Sequence, residues 1–388
     1  MFPKIFTIFE SILVFLQTSE CIVKEKNICH ITTAHPRYDV RIFHKECHSL
    51  SNEFSKLSLI VADGLGDETR KGVNIIDSGK PSGRKDRFLN SGKNALKKAL
   101  ETKSDIYHIH DPELLRISRK LKKSGAKIIY DSHEDLPRQV LNKPYIPKIF
   151  RKLISTVVEF YENKKVSKLS GVIAATPHIR DRFLTINKNT IDVNNYPIST
   201  EIIFNDQWEN RENAICYIGG IFKTRGIFET LDAINDTDIK LYLAGNFSPS
   251  ELENECRAHP GWKNVEFLGY IDRNEINELL GKVKLGLVIL EATPSYIVSL
   301  PIKMFEYMAS GLPVIASDFP LWNQIVSDAG CGICVNQTKP EIIKERIISV
   351  ISDNEFLVNA GKNGRKAIEE KYNWEIETKK LVYFYDSL

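Results

Sequence analysis

The chain has 388 residues, of which 42% are hydrophobic and 27% are charged, and its formal net charge at pH 7 is +3. This length accommodates two domains, and the composition is typical of a soluble globular protein. The net charge is too small to indicate a nucleic-acid-binding protein. The seven cysteines are scattered and odd in number, which favours reduced thiols over a disulfide framework.

Residues 1–26 form an apolar extension. The stretch 2–16 is mostly apolar, but it contains Lys4 and Glu10 and is too short to span a bilayer. Glu10 interrupts the apolar region and no small-residue cleavage site follows, so the segment is a poor signal peptide. An interfacial anchor, an additional helix and a wrongly assigned start are equally good interpretations.

From Asn27 onward, short apolar runs alternate with longer segments of helical period, which predicts parallel sheets covered by helices on both faces. Six runs begin at residues 27, 56, 105, 127, 171 and 190, and six more at 214, 239, 264, 284, 313 and 331. We therefore predict an α/β protein of two doubly wound, Rossmann-like domains, 27–195 and 196–373. An amphipathic helix follows at 374–388.

The segment 35–48, HPRYDVRIFHKECH, follows the first predicted strand and contains three basic residues. Arg37, Arg41 and Lys45 could meet an anionic acceptor such as a lipid diphosphate. Alternatively, these side chains solvate an exposed helix face.

Two further strands of the first half end in polar residues, and ligands of open α/β sheets bind at the carboxyl ends of the strands. His108 and His110 share one strand face, so an H-x-H metal site with Asp111 or His133 is compatible with the sequence. A sugar-contact site accounts for the same residues without a metal, and we predict no metal here. Asp111 and Glu113 are candidates for the acceptor side.

The segment 147–169, PKIFRKLISTVVEFYENKKVSKL, is basic and amphipathic. Such a helix can rest on an anionic membrane surface. Packing of its apolar face into the first domain is an equally good interpretation.

In the second half, Gly219 and Gly220 end a predicted strand, where bare backbone can approach a ligand. A helix follows Gly226, and Arg225 or Lys223 would supply positive charge for an anion at its N-terminus. Neither half has the G-x-G-x-x-G fingerprint or a P-loop, which argues against a dinucleotide dehydrogenase or an ATPase.

Two short motifs in this half have structural interpretations. Asp236 and Asp238 form a D-x-D motif, but they precede a strand and therefore lie at the wrong end of the sheet for a ligand. Cys331 and Cys334 form a single C-x-x-C, which we interpret as buried strand-edge residues in preference to a redox or zinc site.

The segment 299–320, SLPIKMFEYMASGLPVIASDFP, predicts a helix that leads into a buried strand. Ser299 is the expected N-cap, and Gly311 the expected end of the helix. Lys303 and Glu306 share one helix face near the positive end of the helix dipole. This arrangement suits a phosphate followed by a sugar hydroxyl, although the two side chains alone would also make an ordinary surface pair.

The sequence of that segment resembles the donor-site signature of the GT-B-fold, family 4 type glycosyltransferases. This signature is P-x-K-x-x-E-x-M-A-x-G-x-P-V-I-A, followed by Ser-Asp. The resemblance implies that Lys303 and Arg225 contact a diphosphate and that Glu306 holds the ribose. It also implies that His133 approaches the donor sugar from the first domain. The chain departs from the family at Gly220, where a basic residue is usual, and at Val298, where a glutamate is usual, although Glu291 could compensate.

The resemblance implies two domains that face each other across a cleft, and a last helix that crosses back to the first domain. It further implies a retaining, hexosyltransferase-type enzyme of cell-surface polysaccharide biosynthesis that needs neither a cofactor nor a metal. The expected partners are a nucleotide-diphosphate sugar and a glycan or lipid-linked acceptor. The expected location is the cytoplasm or the inner face of the cytoplasmic membrane. The alternatives are a sugar-nucleotide 2-epimerase of the same fold and a non-catalytic scaffold of polysaccharide assembly.

Overall fold

The computed structural model describes residues 24–143 and 146–388 of the chain, in two α/β domains. The strands of the first domain are β1 (Lys24–Ile31), β2 (Phe54–Val61), β3 (Glu68–Arg70), β4 (Val73–Asp77), β5 (Ile106–Ile109), β6 (Lys127–Ser132), β7 (Gly171–Ala174) and β8 (Thr190–Asp192). They form one sheet in the order β3-β4-β2-β1-β5-β6-β7-β8, in which every pair is parallel except β3 with β4.

Ten helical elements accompany this sheet in the described residues, and the eight that are not Arg87–Ser91 or Pro112–Arg116 are labelled here. They are α1 (Val40–Cys47, a π-helix), α2 (His48–Ser51), α3 (Arg84–Asp86), α4 (Gly92–Thr102), α5 (Ser118–Lys122), α6 (Leu136–Asn142), α7 (Lys148–Val166) and α8 (Pro177–Leu184). Asp39 caps α1, because its side chain accepts hydrogen bonds from the backbone amides of Arg41 and Ile42. Thr176 caps α8 in the same way through the amide of Ile179.

The second domain contains a six-stranded, fully parallel sheet in the order β11-β10-β9-β12-β13-β14. Its strands are β9 (Ala214–Ile218), β10 (Lys240–Ala244), β11 (Val265–Gly269), β12 (Leu285–Val288), β13 (Val314–Ser317) and β14 (Gly332–Val335). Its helices are α9 (Ile227–Ile234), α10 (Leu252–Arg257), α11 (Arg273–Lys282), α12 (Ile302–Ala309), α13 (Pro320–Ala329), α14 (Pro340–Ser352) and α15 (Asn354–Glu370).

Both sheets are buried on both faces, because successive residues of a strand point to opposite sides. Ile28 of β1 belongs to the hydrophobic core on one side of the first sheet, and its neighbour Cys29 belongs to the core on the other side. In the second sheet, Ile215 and Cys216 of β9 divide in the same way. This two-sided burial explains why the strands are nearly continuous apolar runs.

The last helix, α16 (Trp374–Asp386), packs against the first domain although it follows the second in sequence. Trp374, Phe384 and Tyr385 are buried in the same core as Ile28 of β1. The backbone amide of Trp374 donates a hydrogen bond to the carbonyl oxygen of Pro197. The two domains are therefore joined both by the linker and by this helix.

All twelve predicted strands are present, but two strands were missed. β3 and β4 form the edge of the first sheet, and β3 has no apolar residue from which it could be predicted. β1 begins at Lys24, three residues before the predicted domain start, and the connection between the two sheets comprises residues 193–213, on both sides of the predicted domain boundary at 195. Residues 1–23 of the predicted apolar extension lie outside the described residues.

Candidate functional site

In each sheet, the strand order reverses at the first strand, because the chain adds its next strands on one side of this strand and the later ones on the other, which creates a crevice at the carboxyl ends. In the first sheet this strand is β1, which lies between β2 and β5, and in the second it is β9, which lies between β10 and β12. The predicted site residues follow strands at these ends or lie on α12 beside them. The fold therefore divides the predicted site into two groups, one in each domain.

The turn after β9 brings four predicted residues together. Gly219 has a φ of +124°, a conformation that favours glycine, and its amide donates to the carbonyl oxygen of Ala244 at 2.9 Å. A Cβ atom at Gly219 would lie 3.5 Å from Lys303 Cε. Arg225 Nη1 donates to the carbonyl oxygen of Gly220 at 3.2 Å. Backbone and two basic side chains thus converge on one side of this turn.

Lys303 is the most unusual side chain of this group. Its Nζ atom is buried, has no hydrogen-bond partner among the described residues, and lies 3.3 Å from the ring centroid of Tyr217. Burial lowers the pKa of Lys303 well below its ordinary value, and the charge of Arg225 lowers it further. A buried lysine amine without a hydrogen-bond partner in the described residues, next to the guanidinium group of Arg225, is suited to bind an anion.

Helix α12 positions Lys303 and Glu306, but it begins later than the sequence predicts. Ser299 is not the N-cap, because its hydroxyl donates to the carbonyl oxygen of Tyr296 at 2.9 Å. Pro301 precedes the first helical residue, Ile302, which leaves the first amides of the helix without a side-chain cap. Lys303 therefore lies in the first turn, at the positive end of the helix.

The Glu306 carboxylate is held by a residue that the sequence did not indicate. Arg273 Nη1, at the start of α11, lies 2.6 Å from Glu306 Oε1. This pair fixes the orientation of the carboxylate and leaves its second oxygen for a hydroxyl donor. Tyr217 was missed as well, because a tyrosine inside an apolar strand looks like an ordinary core residue. No local signal links either residue to α12.

His133 follows β6 and lies at the edge of a buried polar cluster in the first domain. Its Nε2 atom is 3.1 Å from Asp131 Oδ2 and 3.1 Å from His110 Nδ1. The ring of His35 stands 4.9 Å away, centroid to centroid. Burial lowers the pKa of His110 to about 4, so this imidazole is neutral at pH 7. The side chain of His133 is partly exposed, so solvent reaches this edge of the cluster.

Asp111 and Glu113 have different surroundings although they are two residues apart. Asp111 is buried and accepts hydrogen bonds from the loop after β1, including the amides of Thr33 and Ala34. Its carboxylate therefore shapes that loop. Glu113 is half-buried and faces Arg87 Nε at 3.3 Å, and burial raises the pKa of its carboxyl.

The basic residues of the segment 35–48 are engaged inside the first domain, which corrects their predicted role. Arg37 binds Asp63 through Nε and Nη2, both at 2.7 Å. Arg41 is buried and binds Asp131. Their guanidinium groups hold loops and helix α1 in place and are not oriented toward an acceptor.

Lys45 is likewise not oriented toward solvent. Its Nζ atom donates to the carbonyl oxygen of Tyr196 at 2.6 Å, and burial lowers its pKa to about 7. This lysine ties α1 to the linker between the domains.

Helix α7 exposes its apolar face, so the interpretation that this face packs into the first domain is wrong. Ile149, Leu153 and Phe160 are 81%, 63% and 68% exposed. The buried residues of the helix are Ser155, Glu162 and Val166, on its other side. No helix of the described residues combines the length and apolar character needed to cross a membrane.

The D-x-D motif of the second domain lies in a turn, and the C-x-x-C motif lies at an edge strand. Asp236 lies in the turn before β10 with a φ of +55°, and its carboxylate contacts Lys263 at 3.1 Å. Cys331 is buried directly before β14, and Cys334 is half-buried within that edge strand.

Comparison with known proteins gives similarities over the second domain and over the whole fold. Residues 199–367 match the family model described as glycosyl transferases group 1. An uncharacterized glycosyltransferase of Methanocaldococcus jannaschii is 25% identical over 204 residues, which are 53% of this chain and 56% of the relative. A sucrose synthase of Denitrovibrio acetiphilus is 28% identical over 95 residues, 24% of this chain and 12% of that protein. The chain thus spans about half the length, or less, of the curated relatives that it matches.

Solved structures extend the similarity to both domains. A sucrose-phosphate synthase from Thermosynechococcus elongatus superposes with a TM-score of 0.73 at 16% identity, covering 94% of this chain and 99% of that one. HepE of Anabaena, in complex with UDP-glucose, has a TM-score of 0.72 at 13% identity and covers 94% and 100%. At these identities the likeness shows the shared arrangement of the two domains.

Proposed function

We propose that this chain, whose residues 199–367 match the model of glycosyl transferases group 1 and whose fold is that of GT-B proteins, is a retaining hexosyltransferase. Its donor would be a nucleotide-diphosphate sugar. The observation that carries this proposal is the buried Nζ atom of Lys303, which has no hydrogen-bond partner among the described residues and lies beside Arg225 and the Gly219 turn. This is a site for a diphosphate in the domain that matches the family.

In the proposed complex, the diphosphate lies between the Gly219–Gly220 backbone, Arg225 and Lys303. The amide groups at the start of α12 point toward the same region and favour negative charge. As the bond to the sugar breaks, the leaving diphosphate gains charge, and these fixed positive groups stabilise it. We propose that they supply this stabilisation without a metal or a cofactor. Glu306, oriented by Arg273, accepts the ribose hydroxyls.

His133 belongs to the other domain and would approach the donor sugar from there. Closure of the two domains around the donor would exclude water that otherwise hydrolyses it. Glu113, half-buried near the carboxyl end of β5, is the better acceptor-side candidate, since Asp111 is occupied by the loop that it anchors.

The acceptor that we propose is a glycan or lipid-linked molecule of cell-surface polysaccharide biosynthesis. The exposed apolar face of α7 supports a peripheral position on an anionic membrane, because its basic neighbours Lys148, Arg151 and Lys152 complement lipid headgroups. The inner face of the cytoplasmic membrane, where nucleotide sugars are supplied, is the proposed location.

The direct test is a donor and acceptor screen. UDP-glucose is the first donor to try, because a structural neighbour has been solved with it. A bound donor should raise the melting temperature, since a ligand stabilises the folded state by RT ln(1 + [L]/Kd). Release of the nucleoside diphosphate only when an acceptor is present would support a transferase. Interconversion of the sugar nucleotide without an acceptor would indicate the epimerase, and binding without turnover would indicate the scaffold.

A further inference from the structure

The first domain contains a group of buried metal-ligating side chains that the proposed reaction does not use. His30 lies on β1, Glu46 on α1, His108 on β5 and His110 directly after β5. All four side chains have no solvent exposure. The sequence indicates the H-x-H pair, but the fold combines it with His30 and Glu46 instead of Asp111. These four residues are called the buried histidine cluster below.

The four side chains present one ligand atom each to a common centre. Glu46 Oε2 lies 3.8 Å from His30 Nδ1, 4.0 Å from His108 Nδ1 and 3.9 Å from His110 Nε2. His30 Nδ1 and His110 Nε2 are 2.9 Å apart. Around a tetrahedral zinc ion with bonds of about 2.0 to 2.2 Å, ligand atoms are separated by roughly 3.3 to 3.6 Å. One ion therefore fits the cluster with small shifts of the side chains.

Two of the three remaining imidazole nitrogens lie near partners of the kind that metal-bound histidines need, whereas His108 Nε2 has no hydrogen-bond partner in the described residues. His30 Nε2 is 3.2 Å from the hydroxyl oxygen of Tyr385, and His110 Nδ1 is 3.4 Å from Asp131 Oδ2. His108 Nε2 points to the same carboxylate oxygen at 3.8 Å. A histidine that binds a metal through one nitrogen donates its other N–H to such an acceptor, which fixes the tautomer.

The Glu46 carboxyl group is fully buried, and neither of its oxygens accepts a hydrogen bond in the described residues. Arg41 Nε lies 3.0 Å from Oε1, and Oε2 faces the three imidazoles. Burial raises the pKa of Glu46 well above its ordinary value, and the nearby Asp131 carboxylate raises it further, so the neutral acid is favoured when no cation is bound. Burial keeps the three imidazoles neutral, which is the form that binds metals. A divalent cation at Oε2 would favour the ionised form of the Glu46 carboxyl group.

We propose that His30, Glu46, His108 and His110 bind one structural zinc ion. Three imidazole nitrogens and a carboxylate oxygen are ligands that zinc accepts, and complete burial leaves no position for water or substrate, as in structural sites. The ion would join β1, β5 and α1 beneath Asp131, which in turn contacts His133. It is separate from the proposed donor site and is independent of the proposed function.

One existing contact would change when the ion binds. The Tyr385 hydroxyl lies 2.5 Å from His108 Nδ1, so this nitrogen exchanges a hydrogen bond for the metal. Tyr385 then keeps His30 Nε2 as its partner. A metal-free cluster held by this hydrogen bond is the competing interpretation.

The test is the metal content of the full chain, produced with zinc in the medium and passed over a chelating resin. We expect about one zinc per chain, as for a closed four-ligand site. Replacement by Co²⁺ should give the visible absorption bands of a four-coordinate ion with nitrogen and oxygen ligands. Zinc well below one equivalent, together with no cobalt bands, would overturn the proposal without any variant being needed.

Three variants locate the ion. Glu46→Gln keeps the size of the side chain but removes its charge, and His110→Gln removes one ligand, so each should lose bound zinc by more than about tenfold. His178→Gln is the matched control, because His178 is an exposed histidine on α8 outside the cluster, and it should retain the ion. If the folded Glu46 and His110 variants bind as much zinc as the control, the ion is adventitious and the assignment is wrong.

Discussion

At the scale of single residues, the donor site depends on charges that the protein fixes before a ligand arrives. Lys303 lies on the face of Tyr217, and Arg225 is held by the Gly220 carbonyl oxygen. Both side chains are therefore pre-organised, so binding an anion costs little ordering entropy. Glu306 is pre-organised differently, through its ion pair with Arg273.

The different positions of these side chains lead to different binding defects. Lys303→Ala and Arg225→Ala should weaken binding of the nucleoside diphosphate far more than binding of the nucleoside. Glu306→Ala should weaken both by roughly ten- to a hundredfold, since a charge-assisted hydrogen bond contributes about 1.5 to 3 kcal/mol. Calorimetric titration measures this, with the exposed Glu345→Ala on α14 as a control. If the three folded variants bind both ligands as the parent does, the site lies elsewhere.

The lowered pKa of Lys303 predicts that affinity for the nucleoside diphosphate falls as pH rises. The ammonium form binds the anion, and the fraction of this form decreases above the lowered pKa, by up to about tenfold per pH unit. Measurements between about pH 7.5 and 9.5 stay above the second pKa of a phosphate group, which is about 6. Lys303→Arg keeps its charge over this range and should be nearly insensitive to pH. An equally steep dependence in this variant would assign the effect to another group.

His133 belongs to the other domain, so its removal should separate binding from turnover. His133→Ala should lower kcat while nucleotide affinity stays within about twofold, because the hydrogen bonds and ring contacts of His133 among the described residues all lie within the first domain. His178→Ala, which changes an exposed histidine of the same domain, serves as the control. Equal loss of binding and turnover would mean that His133 is structural.

At the scale of elements, α7 and α16 are both amphipathic, but their apolar faces differ in burial. The aromatic face of α16 is buried in the first domain, and Phe384 occupies the space that a side chain at Gly171 would fill. The apolar face of α7 remains in solvent. The buried residues of α7 are Ser155, Glu162 and Val166, whereas those of α16 include Trp374, Leu381, Phe384 and Tyr385.

The exposed face of α7 predicts binding to anionic vesicles. Leu153→Ser and Phe160→Ser together should reduce co-sedimentation by tenfold or more, since burial of one large apolar side chain contributes about 1.5 to 3 kcal/mol. Both residues are exposed, so stability should not change. Ile348→Ser, on α14, is the matched control. Binding should also weaken with salt, and binding that ignores salt and lipid charge would indicate aggregation.

At the scale of the whole molecule, the two domains divide the proposed reaction. In the proposed reaction, the second domain would hold the nucleotide and the first would supply His133. The linker and α16 make two connections between the domains. Neither domain alone carries all the groups that the reaction needs.

The proposed function, a retaining enzyme that needs no metal, predicts a retained anomer and no requirement for an added cation. In that proposal the donor charge would be met by Arg225, Lys303 and the α12 amides, so addition of Mn²⁺ or Mg²⁺ should not raise the rate. EDTA present only during the assay should not lower it either, because the proposed zinc site is enclosed. NMR of the fresh product gives the anomer. An inverted product, or activity that depends on added cation, contradicts this mechanism.

The sequence by itself determined the two α/β domains. Burial on both faces of a sheet makes each strand a nearly continuous apolar run, and such a run is visible in neighbouring residues of the sequence. It also determined the Gly219–Gly220 turn and the shared face of Lys303 and Glu306, since each rests on neighbouring residues. The start of α12 was wrong by a few residues, because the Ser299 hydroxyl has a nearer carbonyl partner.

Only the tertiary structure decided which distant side chains meet. Tyr217 lies under Lys303, Arg273 holds Glu306, and Glu46 faces three imidazoles because the strand order brings β1 beside β5 and β9 beside β12. The same order buries Arg41 against Asp131, although a basic residue in a loop after a strand resembles a ligand contact. Charge and spacing show what a side chain can bind, whereas its partner depends on packing across the sheet, which no local pattern encodes.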